Sequence, residues 1–167
     1  MRVVIMGVTG SGKTTVARAV AADFGWDFAD ADDLHPAANI AKMAVGTALT
    51  DEDRWPWLDA VGAWLADHED AVIACSALRR VYRDRLRAAA PGTTFVHLAA
   101  QQSVLAERVA LRLEAEGHFA GPALLASQFA TLEPLGFDEP GGTVDVSHAD
   151  AHAASLSAAE IVSALDR

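Results

Sequence analysis

Val3-Val4-Ile5-Met6-Gly7-Val8-Thr9-Gly10-Ser11-Gly12-Lys13-Thr14 opens the chain with a short apolar run that turns at once into a glycine-rich loop. Gly7 to Thr14 matches G-x-x-x-x-G-K-[ST], and Thr15 to Ala22 continues as a helix. Strand, glycine loop and helix form the context in which this pattern cradles phosphates. Glycines let the backbone wrap closely with its N–H groups pointing inward. Lys13 supplies a point charge for the β- and γ-phosphates. Thr14 offers a hydroxyl to Mg²⁺, and the helix N-terminus adds a favourable dipole. Gly7, Val8, Thr9, Gly10, Ser11, Gly12, Lys13, Thr14 and Thr15 are therefore the expected triphosphate-binding residues, with Lys13 also catalytic.

Working outward, 167 residues suit one domain with a substantial core. A composition of 51% hydrophobic and 22% charged residues argues against disorder. A net charge of −10 argues against a general nucleic-acid surface. Cationic charge is concentrated early: Arg79, Arg80, Arg83, Arg85 and Arg87 cluster mid-chain, and Arg167 is the only Lys or Arg after Arg112. An anion site is expected in the first two-thirds. Cys75 is the only cysteine, so no intrachain disulfide is possible, which suits a reducing cytoplasm. The apolar start is too short for a secretion signal, and no stretch approaches the length of a membrane span.

Apolar strands are expected at 3–6, 26–29, 71–75, 93–98 and 143–146. Helices are expected from Pro36 toward Gly46, from Thr50 through Leu65, over 76–90, from Ser103 to near Gly117, over 122–132 and over 158–165. Strands alternating with helices imply a parallel sheet covered on both faces. The expected fold is α/β, a three-layer P-loop architecture with a five-stranded parallel sheet flanked by helices. Ligands in such sheets bind beyond the carboxyl ends of the strands. The glycine loop, Asp30 and Asp32, and Cys75-Ser76 all fall there.

Asp30-x-Asp32 divides naturally into two jobs. One carboxylate supports Mg²⁺ through water, and the other accepts the proton of an attacking hydroxyl. Switch GTPases and motor ATPases place an Asp after an apolar strand to hold Mg²⁺. Here the third strand ends in Cys75-Ser76, and there is no Asn-Lys-x-Asp segment. The pattern points to a small kinase.

Asp30-Ala31-Asp32-Asp33-Leu34-His35-Pro36, with Asn39-Ile40 and Lys42-Met43, resembles the gluconokinase family of shikimate-kinase-like P-loop enzymes. The resemblance continues through Leu49-Thr50-Asp51-Glu52-Asp53-Arg54-Trp55-Pro56-Trp57-Leu58 and Cys75-Ser76-Ala77-Leu78-Arg79-Arg80. It ends with His118-Phe119, Ser127-Gln128-Phe129 and Thr131-Leu132-Glu133. It implies ATP- and Mg²⁺-dependent phosphorylation of D-gluconate at its 6-hydroxyl by a cytoplasmic homodimer. On this reading residues 1–167 form one kinase domain, with an acceptor segment at about 30–66 and a lid at about 108–122. Asp32 is the catalytic base, and Asp30 with Thr14 serves the metal.

A polyol carboxylate needs cations at one end and mixed hydrogen-bonding groups along its length. Arg54, Arg79 and Arg83 are the expected cations, the last two sharing a helix face at a spacing of four. His35, Ser76, Gln128 and, near the lid, His118 are expected beside the substrate. The tryptophans Trp55, Trp57 and Trp64 are read as core.

Two departures from the family pattern stand out. Ala31 replaces the glycine common between the two aspartates. The lid arginines Arg108 and Arg112 keep their four-residue spacing, but His118 follows three residues late, about 4.5 Å along a helix. One or both are expected to reach the ATP phosphates, with Arg112 assigned to catalysis; surface pairing with Glu107, Glu114 or Glu116 is the alternative. The rival functions are another P-loop kinase, of shikimate or nucleoside type, and a nucleotide-binding regulatory module.

Overall fold

The computed structural model describes residues 1–45, 47–116 and 122–167, apart from the side chains of 112–116, 122 and 123. Five parallel strands form one sheet: β1 (Arg2–Met6), β2 (Asp27–Asp30), β3 (Ala71–Ala74), β4 (Thr94–Ala99) and β5 (Gly141–Asp145). Their order is β2-β3-β1-β4-β5. Central β1 sets Val4 beside Ile73 of β3 on one side and Phe95 of β4 on the other. The last four residues of β1 and all four of β3 are buried, as expected for near-continuous apolar strands covered on both faces.

Helices α1 (Lys13–Phe24) and α7 (Ala151–Leu165) cover one face. Val16, Val20, Ala154, Ala158 and Val162 pack there on Val3, Ile5 and Val72. Helices α3 (Asp51–Asp67) and α4 (Arg80–Ala89) cover the other, where Trp57, Leu58, Val61, Leu65 and Leu86 meet Val4, Ile73 and Phe95. A third cluster joins Val8 and Leu78 to Leu105, Val109 and Leu125, which lie on α5 (Gln102–Glu116) and α6 (Pro122–Thr131). This packing sets α5 and α6 over the phosphate loop. The short α2 (Ala37–Ala44) follows a 3-10 turn over Ala31–Leu34.

Local chemistry explains the element starts. Thr50 caps α3 through a reciprocal box: its hydroxyl accepts from the Asp53 N–H, and the Asp53 carboxylate accepts from the Thr50 N–H. Asp150 caps α7 by accepting from the Ala153 N–H, so this helix begins at Ala151 and not at Ala158.

Helix α4 begins at Arg80, four residues later than the sequence suggests. The intervening carbonyls are bonded elsewhere. Leu78 O accepts from the Glu133 N–H at 2.8 Å, and the Arg83 guanidinium takes Ala77 O at 3.1 Å and Leu78 O at 3.2 Å. Ala77 adopts φ 41°, a left-handed conformation that costs a non-glycine residue energy.

Candidate active site

The phosphate loop runs from the end of β1 into α1. Gly12 is the residue before the helix and takes φ 91°, which only glycine adopts at little cost. At Gly7 a side chain would stand 2.8 Å from Leu98 O, so the absence of Cβ lets the loop cross close over β4. The loop is held internally by Lys13 Nζ on Val8 O at 3.1 Å. It is held externally by the Gln128 side-chain oxygen, which accepts from the Thr9 N–H at 2.6 Å. Gln128 is thus a support of the phosphate loop, contributed by α6. Ser11 Oγ is buried and has no hydrogen-bond partner among the described residues.

The Thr14 hydroxyl donates to Asp30 Oδ2 at 2.7 Å, and Asp30 Oδ1 accepts from the Asp32 N–H at 3.1 Å. Asp30 therefore links the first turn of α1 to the turn carrying Asp32. Thr14 and Asp30 offer hard oxygen ligands side by side, a donor set that fits a Mg²⁺ ion retaining most of its water. Asp32 keeps a face open to solvent, yet surrounding protein desolvates it and raises its carboxyl pKa. The charge of Lys13 opposes that rise, while Asp30 adds to it.

Cys75, behind these residues, is fully buried, and desolvation pushes its thiol up to about 12. A thiol so protonated is no nucleophile.

A second part of the candidate site lies at the start of α3 and before α4. A cavity of about 420 Å³ is lined by Leu49, Thr50, Asp51, Arg54, Arg79 and Tyr82, and by 130–133 from the end of α6. Arg54 donates to Leu49 O at 2.5 Å and lies 3.9 Å from the Asp51 carboxylate. Arg79 pairs with Asp51 at 2.5 Å and approaches Glu133 at 3.6 Å. Both guanidinium groups lie over the Tyr82 ring, at 5.8 and 5.5 Å. The Tyr82 hydroxyl donates to Asp51 at 2.5 Å, the main reason the Asp51 pKa is lowered, with Arg79 contributing.

His35 stacks on Trp57, with ring centroids 4.3 Å apart and planes 11° from parallel. The Trp57 indole N–H donates to Ala31 O at 2.7 Å, which pins the backbone between Asp30 and Asp32. Trp57 is core, as its spacing predicts, and it is also the floor of the site.

Several expected positions need correction or relocation. Arg83 does not share the cavity with Arg79. It is fully buried, pairs with Glu139 at 2.7 and 2.8 Å, and caps the carbonyls of Ala77, Leu78 and Glu133. The four-residue spacing misleads because Arg79 precedes α4 in an extended conformation, so the two residues share no helix face. Ser76 stands at the end of β3, where its carbonyl accepts from the Gly7 N–H at 3.4 Å. The Arg108 guanidinium donates to Val146 O at 2.7 Å, after β5. The Arg112 side chain and His118 lie outside the described residues.

Sequence reasoning missed Asp51, Tyr82 and Glu133 as cavity walls. Asp51 reads as an ordinary helix-start acid, and nothing local in the sequence pairs Tyr82 with a residue 31 positions earlier.

A phosphate loop tied through Asp30 to the turn carrying Asp32, together with a pocket walled by Arg54 and Arg79 and their carboxylate partners, is the arrangement of a P-loop small-molecule kinase. Residues 3–135 match the protein family described as an AAA domain. The shikimate kinase of Aquifex aeolicus shares the fold with a TM-score of 0.58 at 16% identity, covering 99% of this chain and 96% of that one. Nearer relatives are gluconokinases. The Gluconobacter oxydans protein is 48% identical over 82% of this chain and 78% of its own length. The thermoresistant gluconokinase of Escherichia coli K12 is 44% identical over 81% and 78%. The crystal structure of a Sinorhizobium meliloti gluconokinase superposes with a TM-score of 0.86 at 45% identity, covering 99% and 93%. The chain belongs to the gluconokinase family.

Proposed function

We infer that this protein transfers the γ-phosphoryl group of ATP to the 6-hydroxyl of D-gluconate, giving 6-phospho-D-gluconate and ADP. The observation that carries the inference is the setting of Asp32. It extends from the turn that Asp30 ties to Thr14, within electrostatic reach of Lys13 and of His35, the histidine facing the Arg54 side of the site.

The gluconate carboxylate is read by Arg54 and Arg79, whose present partners Asp51 and Glu133 keep both guanidinium groups poised at the cavity wall. His35 and Ser76 read hydroxyls. The 6-hydroxyl oxygen attacks the γ-phosphorus in line. Its proton passes to Asp32, and the bond from the γ-phosphorus to the bridging oxygen of ADP breaks. The raised pKa of Asp32 improves it as a proton acceptor. Lys13 and the loop N–H groups neutralise charge that develops on the phosphoryl oxygens.

Thr14 and Asp30 are the residues that would hold Mg²⁺, Asp30 through water. When bound, the ion would supply positive charge that neutralises the phosphate oxygens. Arg108 and Arg112 remain candidates for the nucleotide side and His118 for the acceptor side, in a lid at about 108–122 of a single kinase domain whose acceptor segment is about 30–66. The family resemblance also leads us to a homodimer working in the cytoplasm; sedimentation equilibrium tests the first. Among the described residues no helix is long and apolar enough to cross a membrane. Phosphorylation of a panel of sugar acids, followed by coupled ADP release, tests the acceptor.

A further inference from the structure

His35 is held from two sides in a way that decides where its proton sits. Asn39 is buried, and its amide nitrogen donates to Asp53 O at 2.8 Å. That contact identifies which end of the amide is nitrogen, because a carbonyl oxygen would repel another carbonyl. The same nitrogen lies 3.3 Å from His35 Nδ1. An NH₂ group approaches a ring nitrogen only as a donor, so Nδ1 is the accepting nitrogen, and the hydrogen of the neutral ring is on Nε2. Trp57 stacks on the ring and blocks one of its faces. Nε2 has no hydrogen-bond partner among the described residues.

The charged groups around the ring agree with this assignment. Burial is the main influence keeping His35 neutral; Asp32 opposes it, and Arg54 of α3 adds to it. The nearby Lys42 is neutralised by Asp53, with Nζ 2.6 Å from the carboxylate, so Asn39 stands beside a closed ion pair.

We propose that Asn39 and Trp57 are positioning residues that lock His35 as a neutral Nε2–H donor, which reads a hydroxyl oxygen of the acceptor beside Asp32. The proposal rests on the acceptor being a polyol acid such as gluconate. It divides labour between neighbours: Asp32 accepts a proton, and His35 only donates a hydrogen bond. The ring is then a specificity element that favours an acceptor presenting an oxygen lone pair at that point, and it takes no part in proton abstraction.

The test combines a spectrum with kinetics. In full-length protein labelled with ¹⁵N-histidine, long-range ¹H–¹⁵N correlation spectra at neutral pH report which His35 nitrogen carries hydrogen. The expected result is Nε2–H in the wild type. Asn39→Asp places a group that only accepts beside Nδ1, so the hydrogen of the neutral ring should move from Nε2 to Nδ1. The KM for gluconate should then rise roughly ten- to hundredfold, the span of leaving one polar partner unmet, with the KM for ATP within about twofold. A pair of direct variants covers the case in which Asn39→Asp fails to fold: His35→Gln, which keeps a donor, should stay within a few-fold of wild type, and His35→Leu should show the full KM increase.

A wild-type spectrum with hydrogen on Nδ1 overturns the proposal. So does a tautomer switch in Asn39→Asp that leaves the gluconate KM unchanged, or equal behaviour of His35→Gln and His35→Leu. Failure of the wild type to phosphorylate gluconate at all overturns the acceptor assignment instead, and the spectrum still reports the ring.

Discussion

The Thr14 hydroxyl donates to Asp30 Oδ2 across 2.7 Å and so fastens the first turn of α1 to the end of β2. The first follows directly on the glycine loop, and the second leads into the turn carrying Asp32. Because β3 lies between β1 and β2 in the sheet, this side-chain contact bridges strands that are not neighbours. Under the proposed function a Mg²⁺ ion held at the phosphates would be served by Thr14 directly and by Asp30 through water.

Thr14→Ala should therefore raise the Mg²⁺ concentration needed for half-maximal velocity by about tenfold, while Thr14→Ser keeps it near wild type. Titrating Mg²⁺ at saturating ATP and acceptor measures this.

Asp32→Asn removes the proposed proton acceptor and keeps the shape. We expect kcat to fall by roughly a hundred- to ten-thousandfold, with the KM for ATP within about twofold. Steady-state kinetics decide; an Asp32→Asn enzyme with near-wild-type kcat excludes Asp32 as the base.

Arg79→Met removes a cation from the cavity wall and leaves Asp51 with Tyr82 and the more distant Arg54. The KM for gluconate should rise roughly ten- to hundredfold with little change in the KM for ATP, the loss of a charge-assisted pair. Arg83→Met should behave differently. It leaves buried Glu139 with Arg87 as its remaining cation and strips the bonds to the Ala77, Leu78 and Glu133 carbonyls, so its main effect should be a lowered melting temperature.

Glu139 gives that buried pair a pH signature. Its carboxyl accepts from Arg83, Gly136 and Arg87, which together outweigh desolvation and lower its pKa from 4.5 to about 2. A folded-state pKa below the unfolded one stabilises the fold above pH 4.5, and that stability is lost as pH falls from about 5 toward 2. The contribution at neutral pH is at most about 3 kcal/mol. Glu139→Gln should thus be less stable than wild type at pH 7, with the gap narrowing below pH 5. Urea unfolding across that pH range measures it.

Much of the fold is legible in the sequence because the signals are local. The glycine loop, the apolar runs of β1 and β3 and the Thr50–Asp53 cap are each written within a few residues. Helix α7 is read half a length short because its first turns, Ala151 to Ser157, carry little periodic apolar signal, and its Asp150 cap looks like one more loop acid. The site is legible in the meeting of the glycine loop, Asp30 and Ser76, since each follows a strand of one parallel sheet. It is misread at Arg83, since the partner that draws this arginine inward, Glu139, lies 56 residues away. The double duty of Trp57, packing the core and stacking His35, also has no sequence signature.

The central claim is transfer from ATP to the 6-hydroxyl of gluconate. It is tested most directly by incubating the purified protein with ATP, Mg²⁺ and, in turn, gluconate, shikimate and other sugar acids, and reading the phosphorylated product by ³¹P NMR with coupled ADP release. The expected result is efficient turnover of gluconate with phosphate on the terminal C6 oxygen, abolished in Asp32→Asn, and little turnover of shikimate. No turnover of gluconate beside robust phosphorylation of shikimate or another acid would contradict the account.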